Sequence, residues 1–206
     1  MVLDYDHVRD FLKNNFPDIQ LLIKPNVLEW LYGDDVFIRT LTKESEKKFG
    51  SEIIDQETSQ WTTSFGESLV NEILERLDEN PLRIPSDVQK RGANNKKLNP
   101  DYITDKRVIE VKTRSYKIPG TAGEKTLGSC IKYIEVPRLY GKPLDIVCVG
   151  YQEKEADKDF MLFDTTIQSP ELNYLLHMFA EKMQVRYIRA THLFEEVLAK
   201  LSYVGP

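Results

Sequence analysis

The segment "NPDYITDKRVIEVKTRSY", residues 99–116, contains two short apolar stretches separated by the polar sequence "TDKR". This arrangement predicts a β-hairpin with "TDKR" as its turn. With that turn, Tyr102 pairs with Ile109, and Asp101 lies opposite Glu110. Side chains that lie directly opposite each other share a face of the sheet and approach within about 5 Å. The hairpin therefore places two carboxylates side by side.

Lys112 points to the same face as Glu110, because residues two apart on a strand share a face. Ile109 and Val111 point to the opposite face, where an apolar layer is expected. Two adjacent carboxylates repel each other unless a cation lies between them, and oxygen ligands of this kind suit Mg²⁺ or Mn²⁺. Such an ion lowers the pKa of a bound water and stabilises negative charge on a phosphoryl oxygen, and a nearby lysine can orient that water. The pattern favours phosphodiester hydrolysis; the alternative is an inert surface hairpin.

The charge distribution supports a nucleic-acid partner although the chain as a whole is acidic, with a net charge of −5. Residues 81–140 contain 13 Lys or Arg and six Asp or Glu, which makes this segment +7. A basic segment in an acidic chain can bind phosphates. The alternative is a solvated charged face.

Other features indicate a soluble globular protein of the cytoplasm. The 206 residues contain no apolar run of the roughly 18 residues that a membrane helix needs, and the N-terminus "MVLDYDHVRD" lacks the pattern of a signal peptide. Cys130 and Cys148 are too few for a disulfide framework. The three histidines are dispersed and lack the spacing of zinc ligands.

Helical and strand patterns alternate along the chain, which predicts an α/β (α+β) fold with a mixed central sheet flanked by helices. Helices are expected at 6–16, 63–80, 169–184 and 192–201, and in a loop-helix segment at 119–141 that Pro137 ends or kinks. Strands are expected at 19–24, 35–41, 80–85, 143–152, 159–165 and 185–191, in addition to the hairpin. Tyr133, Tyr140, Tyr174 and Phe179 are expected in the core.

Pro100-Asp101 followed by Glu110-Val111-Lys112 resembles the PD-(D/E)xK signature of the restriction-endonuclease-like nucleases. The resemblance implies that Asp101, Glu110 and the backbone carbonyl of Val111 bind Mg²⁺, for which Mn²⁺ would substitute. It also implies that Lys112 helps to activate water.

In that family an acidic residue of the preceding helix often joins the metal site, and Glu67 is the matching residue here. The alternative role of Glu67 is in a capping box, with Ser64 as the N-cap. Glu72 is the second candidate for the metal site.

The resemblance covers about residues 60–165 and implies an αβββαβ core. Residues 1–50 are then an N-terminal α/β extension of unknown role, and residues 51–206 are the nuclease core with a C-terminal strand and helix. The expected activity is that of a type II restriction endonuclease, most similar to the small members, acting on double-stranded DNA as a homodimer. A repair or recombination nuclease and a non-catalytic DNA-binding protein are the alternatives.

Basic and amide side chains around the hairpin are candidates for DNA contact. They are Lys90, Arg91, Asn94, Asn95, Lys96 and Lys97 in "QKRGANNKK", Arg114, Ser115 and Lys117 after the hairpin, and Thr121 and Lys125 in "GTAGEK". The alternatives are a surface loop for the first group and an N-capped turn for the last.

Overall fold

The computed structural model describes residues 3–16, 18–41, 48–50, 52, 61–114, 122–163, 169–203 and 205. The predicted hairpin forms with the predicted register. Strands β1 (Tyr102–Ile103) and β2 (Val108–Arg114) are antiparallel, and Tyr102 pairs with Ile109. Thr104 closes the turn, because its hydroxyl accepts hydrogen bonds from the backbone N–H groups of both Lys106 and Arg107.

Two further strands, β3 (Leu144–Gly150) and β4 (Val185–Arg189), extend the sheet in the order β1-β2-β3-β4. β3 is parallel to both β2 and β4. All seven residues of β3 are buried, as expected for a parallel strand covered on both faces. The predicted mixed sheet flanked by helices is therefore confirmed.

The helices begin and end close to the sequence patterns in most places. They are α1 (Tyr5–Asn15), α2 (Val27–Leu31), α3 (Asp35–Thr40), α4 (Trp61–Arg76), α5 (Ala122–Leu127), α6 (Ser129–Lys132), α7 (Val136–Tyr140), α8 (Tyr151–Lys158), α9 (Pro170–His177) and α10 (Ala190–Lys200), with a π-helical segment at Met178–Lys182. No helix among the described residues is long and apolar enough to cross a membrane.

Helices cover both faces of the sheet. On one face, side chains of α1, α2, α4 and α10 form a core with Ile109 and Val111 of β2. On the other face, Val108 of β2 packs with Cys130, Tyr133 and residues of α7. Since side chains alternate along β2, Glu110 and Lys112 belong to this second face.

The N-terminal segment differs from the prediction. Residues 19–24 form turns rather than a strand, and residues 35–40 form α3 rather than a strand. The carboxylate of Glu72 accepts hydrogen bonds from the backbone N–H groups of residues 20–22, which leaves those groups unable to join a sheet. Asp34 caps the start of α3. The described part of residues 1–50 thus contains helices and no strand, so the α/β character predicted for it is wrong.

Other local predictions are also corrected. The strand predicted at 80–85 is reduced to one bridge between Leu82 and Ile103, and residues 159–163 form no strand. Pro137 lies in the first turn of α7, where its missing N–H is harmless, so it begins a helix rather than ending one. Tyr174 is 67% exposed, so its predicted place in the core is wrong.

A buried ion-pair network joins the starting ends of three strands. The Arg107 guanidinium, which precedes β2, donates to Glu79 at 2.7 Å and to Asp145 of β3 at 2.8 Å. Arg186 of β4 donates to the other oxygen of Asp145 at 2.6 Å. Asp145 is fully buried and Glu79 is 3% exposed. The network holds the strands in register below the candidate site.

Candidate active site

Asp101 is held at the edge of β2 by two hydrogen bonds. Its backbone N–H donates to the carbonyl of Ile109 at 2.9 Å, and its carboxylate Oδ2 accepts the backbone N–H of Val111 at 2.7 Å. The side chain thereby satisfies the strand N–H that has no partner once β1 ends. Asp101 lies just before β1, and its carboxylate takes the place of a backbone carbonyl in the hydrogen bonding of the hairpin.

Glu110 and Lys112 meet on the second face of the sheet, as predicted. Glu110 is 4% exposed, and its Oε1 forms an ion pair with the Lys112 ammonium. The same ammonium lies 3.5 Å from the Val111 carbonyl oxygen. The other carboxylate oxygen of Glu110, Oε2, is buried and has no hydrogen-bond partner among the described residues. The Lys112 ammonium thus occupies the position of a cation against the expected metal ligands.

Ionisation of Asp101 is unfavourable in this environment. Burial first, and the negative charge of Glu110 second, raise the pKa of Asp101 to about 7. The negative charge of Glu67 adds to this effect, while the hydrogen bond from Val111 and the charge of Lys112 oppose it. The hydrogen bond and the lysine charge do not offset burial and the neighbouring carboxylates, so the pKa of Asp101 stays above its ordinary value of 3.8.

A divalent cation fits this ligand set. The described residues contain no cluster of three or more His, Cys, Asp or Glu able to hold a metal. Mg²⁺, however, commonly uses one or two carboxylates and takes its remaining ligands from water and substrate phosphate. The carboxylates of Asp101 and Glu110, with the unpartnered Oε2, and the carbonyl of Val111 provide such a partial shell.

Glu67 of α4 lies close enough to Asp101 for its negative charge to raise the pKa of that carboxyl. Its carboxylate accepts a hydrogen bond from Arg83 at 2.7 Å, and Arg83 also lies over the Tyr102 ring, 5.2 Å from its centroid. α4 begins at Trp61, so Ser64 lies inside the helix and the capping-box interpretation is wrong. Glu72 is the second candidate for the metal site, but its carboxylate accepts the backbone N–H groups of residues 20–22.

A glycine allows α4 to approach β2 closely at this point. A Cβ atom added to Gly66 would lie 2.8 Å from the Cβ of Thr113, a distance that real side chains do not adopt. Gly66 therefore brings the neighbouring Glu67 close to the hairpin.

Two residues near the site are not predicted by the sequence. The sequence pattern indicates only a core position for Tyr133, and it indicates no role for Lys132. Tyr133 is 3% exposed, but its ring lies beside Glu110 and Lys112: the Lys112 ammonium is 5.9 Å from the ring centroid. Burial, followed by the charge of Glu110, raises the pKa of Tyr133 well above its usual range. Lys132 donates to the Tyr133 hydroxyl at 2.7 Å. Only the packing of α6 on the sheet reveals these neighbours.

The basic loop at 90–97 is an ordered hairpin anchored on α7. Glu135 accepts the backbone N–H of Ala93 at 2.8 Å, and the Tyr140 hydroxyl accepts the backbone N–H of Lys90 at 3.0 Å. The six candidate DNA-contact residues in this loop are all exposed: Lys90, Arg91, Asn94, Asn95, Lys96 and Lys97. Two of them use their side chains to hold the loop, since Arg91 donates to the Asn95 carbonyl and Lys97 to the Ser86 carbonyl.

The remaining candidate DNA contacts differ in placement. Arg114 is 6% exposed and forms a buried ion pair with Glu155, so the structure places it inside the protein rather than on a binding surface. Lys125 of α5 is exposed. Ser115, Lys117 and Thr121 lie outside the described residues.

Comparison with protein-family models, with curated proteins and with solved structures finds no match for this chain.

Proposed function

We propose that the protein is a Mg²⁺-dependent endodeoxyribonuclease. The observation that carries the proposal is the pair of carboxylates of half-buried Asp101 and buried Glu110, which repel each other and share their surroundings with a lysine ammonium. Buried carboxylates of this kind destabilise a fold unless they serve a cation. The resemblance to the PD-(D/E)xK signature identifies the same residues.

The chain's own groups have distinct roles in this reaction. Asp101, Glu110 and the Val111 carbonyl would hold Mg²⁺, which when bound supplies a more acidic water and stabilises charge on the phosphoryl group. In the metal-free protein the Lys112 ammonium contacts two of these groups, the Glu110 carboxylate and the Val111 carbonyl. Lys112 would orient the attacking water and exchange a proton with it. Glu67 stays paired with Arg83 and adds negative charge next to Asp101.

The surface near the site suits a DNA backbone. The anchored loop at 90–97 presents lysine, arginine and asparagine side chains, and the surrounding segment 81–140 is net basic. Within this class we favour a type II restriction endonuclease that acts as a homodimer on a short palindromic site. A repair or recombination nuclease that recognises mismatches or junctions is the second candidate, because the same centre would serve either substrate.

Incubation of long unmethylated DNA with the protein and Mg²⁺ tests this proposal. Discrete fragments support a restriction enzyme, and nicking confined to mismatches or junctions supports a repair enzyme. Absence of cleavage of all these substrates with Mg²⁺ and with Mn²⁺ would contradict both and leave the non-catalytic DNA-binding protein.

Lys112→Ala tests the assignment of the site. We expect a loss of about 10²- to 10⁴-fold in cleavage rate with DNA binding retained. The control is Lys13→Ala, which removes an exposed lysine of α1 on the other face of the sheet. Normal cleavage by the Lys112 variant would show that the centre lies elsewhere.

A further inference from the structure

We propose that Lys132, held by Tyr133, forms a phosphate-binding subsite beside Glu110 and Lys112. This inference rests on the proposed function and extends it to the group that binds the substrate backbone. The ligand is an anionic phosphate oxygen of the nucleic acid, at the scissile phosphodiester or next to it.

The side chain of Lys132 is fixed although it is exposed. Its ammonium lies 4.3 Å from the centroid of the Tyr133 ring and 2.7 Å from the Tyr133 hydroxyl oxygen. Exposed lysines usually sample many rotamers. A lysine that is already held in one rotamer loses less conformational entropy when it binds a ligand. Lys132 is therefore preorganised for a ligand.

Its charge is also available. Among the described residues, no carboxylate lies within ion-pair distance of the Lys132 ammonium, whereas Lys112 is paired with Glu110 and Lys106 with Glu79. The Tyr133 hydroxyl and ring interact favourably with the Lys132 ammonium, and because both are neutral they leave its positive charge uncancelled. An anion can thus bind without displacing an acidic partner.

Tyr133 connects this ammonium to the proposed centre. One aromatic ring lies close to both Lys132 and Lys112, and the charges of Glu110 and Asp101 act on its hydroxyl. The ammonium groups of Lys132 and Lys112 therefore lie at most about 10 Å apart.

Lys132 would stabilise the negative charge that develops during the reaction. Two carboxylates offset a divalent cation, which leaves Lys112 as the positive group facing the substrate. Phosphodiester hydrolysis adds negative charge in the transition state, and fixed positive groups aimed at that charge accelerate the reaction. Lys132 supplies a second ammonium near the first.

The experiment compares Lys132→Gln with the control Lys13→Gln, which removes another exposed lysine charge, from α1. The dissociation constant of a fluorescent DNA duplex is measured against NaCl concentration in EDTA, and cleavage is measured separately with Mg²⁺. For Lys132→Gln we expect the slope of log K against log[salt] to fall by about 0.9, the value for one lost phosphate contact. We also expect kcat/KM to fall about 10- to 100-fold. Lys13→Gln should match the wild type in both.

Tyr133→Phe separates positioning from charge. It keeps the ring and the ammonium, so we expect an unchanged salt slope and a smaller loss of kcat/KM than for Lys132→Gln. If Lys132→Gln matches Lys13→Gln in salt slope and kcat/KM while the wild type cuts DNA, the subsite is refuted and the proposed function stands. If the wild type neither binds nor cuts DNA, the proposed function itself fails and the subsite with it.

Discussion

Replacing Asp101 with asparagine should make the metal-free protein more stable at alkaline pH. The carboxylate is half-buried near Glu110, and its pKa is raised from 3.8 to about 7. Asparagine removes the charge and keeps an oxygen that can accept the Val111 N–H. The penalty for ionising this buried group therefore disappears.

The sign and size follow from proton linkage. A carboxyl whose pKa is higher in the folded state stabilises the fold at low pH, and that contribution is lost as pH rises from about 4 through 7. At about 1.36 kcal/mol per pH unit, a rise of the pKa from 3.8 to about 7 corresponds to an upper limit of about 4 kcal/mol. Because Asp101 is partly exposed, we expect about 2–4 kcal/mol.

Urea unfolding at pH 4 and pH 8, in EDTA, measures the effect. The free energy of unfolding of Asp101→Asn should equal that of the wild type at pH 4 and exceed it by about 2–4 kcal/mol at pH 8. Buried Glu153, whose pKa is also raised to about 7, contributes equally to both proteins and cancels in the difference. The control is Asp10→Asn, an aspartate whose side chain is 74% exposed, which should change stability by less than about 0.5 kcal/mol at both pH values.

Mg²⁺ should narrow the difference in stability between the two proteins. Millimolar Mg²⁺ at pH 8 should raise the melting temperature of the wild type by mass action and leave that of Asp101→Asn unchanged. The reasoning is refuted if Asp101→Asn is no more stable than the wild type at pH 8, or if its advantage is the same at pH 4.

Three substitutions probe the supports of the site, each measured by urea unfolding against the exposed control Arg138→Ala, which should change little. Arg107→Ala removes the buried guanidinium that pairs with both Glu79 and Asp145 and should destabilise the protein by about 3–5 kcal/mol; a loss under 1 kcal/mol would show that the network is unimportant. Gly66→Ala forces α4 away from Thr113 and should lose about 1–3 kcal/mol together with DNA cleavage, whereas unchanged stability would show that the contact yields freely. Glu72→Ala leaves buried backbone N–H groups unpaired and should lose about 3 kcal/mol without affecting the metal response; a lost Mg²⁺ response would instead make it a site residue.

Local sequence patterns determined the hairpin and most long elements. "TDKR" specifies the turn because Thr104 can accept the turn N–H groups, and this sets the register that places Glu110 and Lys112 on one face. The continuous apolar run of β3 and the stripe of α4 are equally local signals. These features depend on residues that are near each other in the chain.

The sequence could not reveal what distant groups do to a segment. "IQLLIK" has the composition of a strand, but Glu72, about fifty residues away, binds its N–H groups and holds it as turns. The helix at "DVFIRTL" has a local cause instead, because Asp34 directly precedes the segment and its side chain caps the helix.

The candidate site divides in the same way. The sequence by itself determined that Asp101, Glu110 and Lys112 lie together, because one hairpin contains all three. Only the tertiary structure decided that Glu67 of α4 lies close enough for its charge to act on Asp101, that Arg114 is buried with Glu155, and that Tyr133, which holds Lys132, lies beside Glu110. These neighbours come from separate helices, and helix packing depends on the shape and burial of whole surfaces, which no short pattern records.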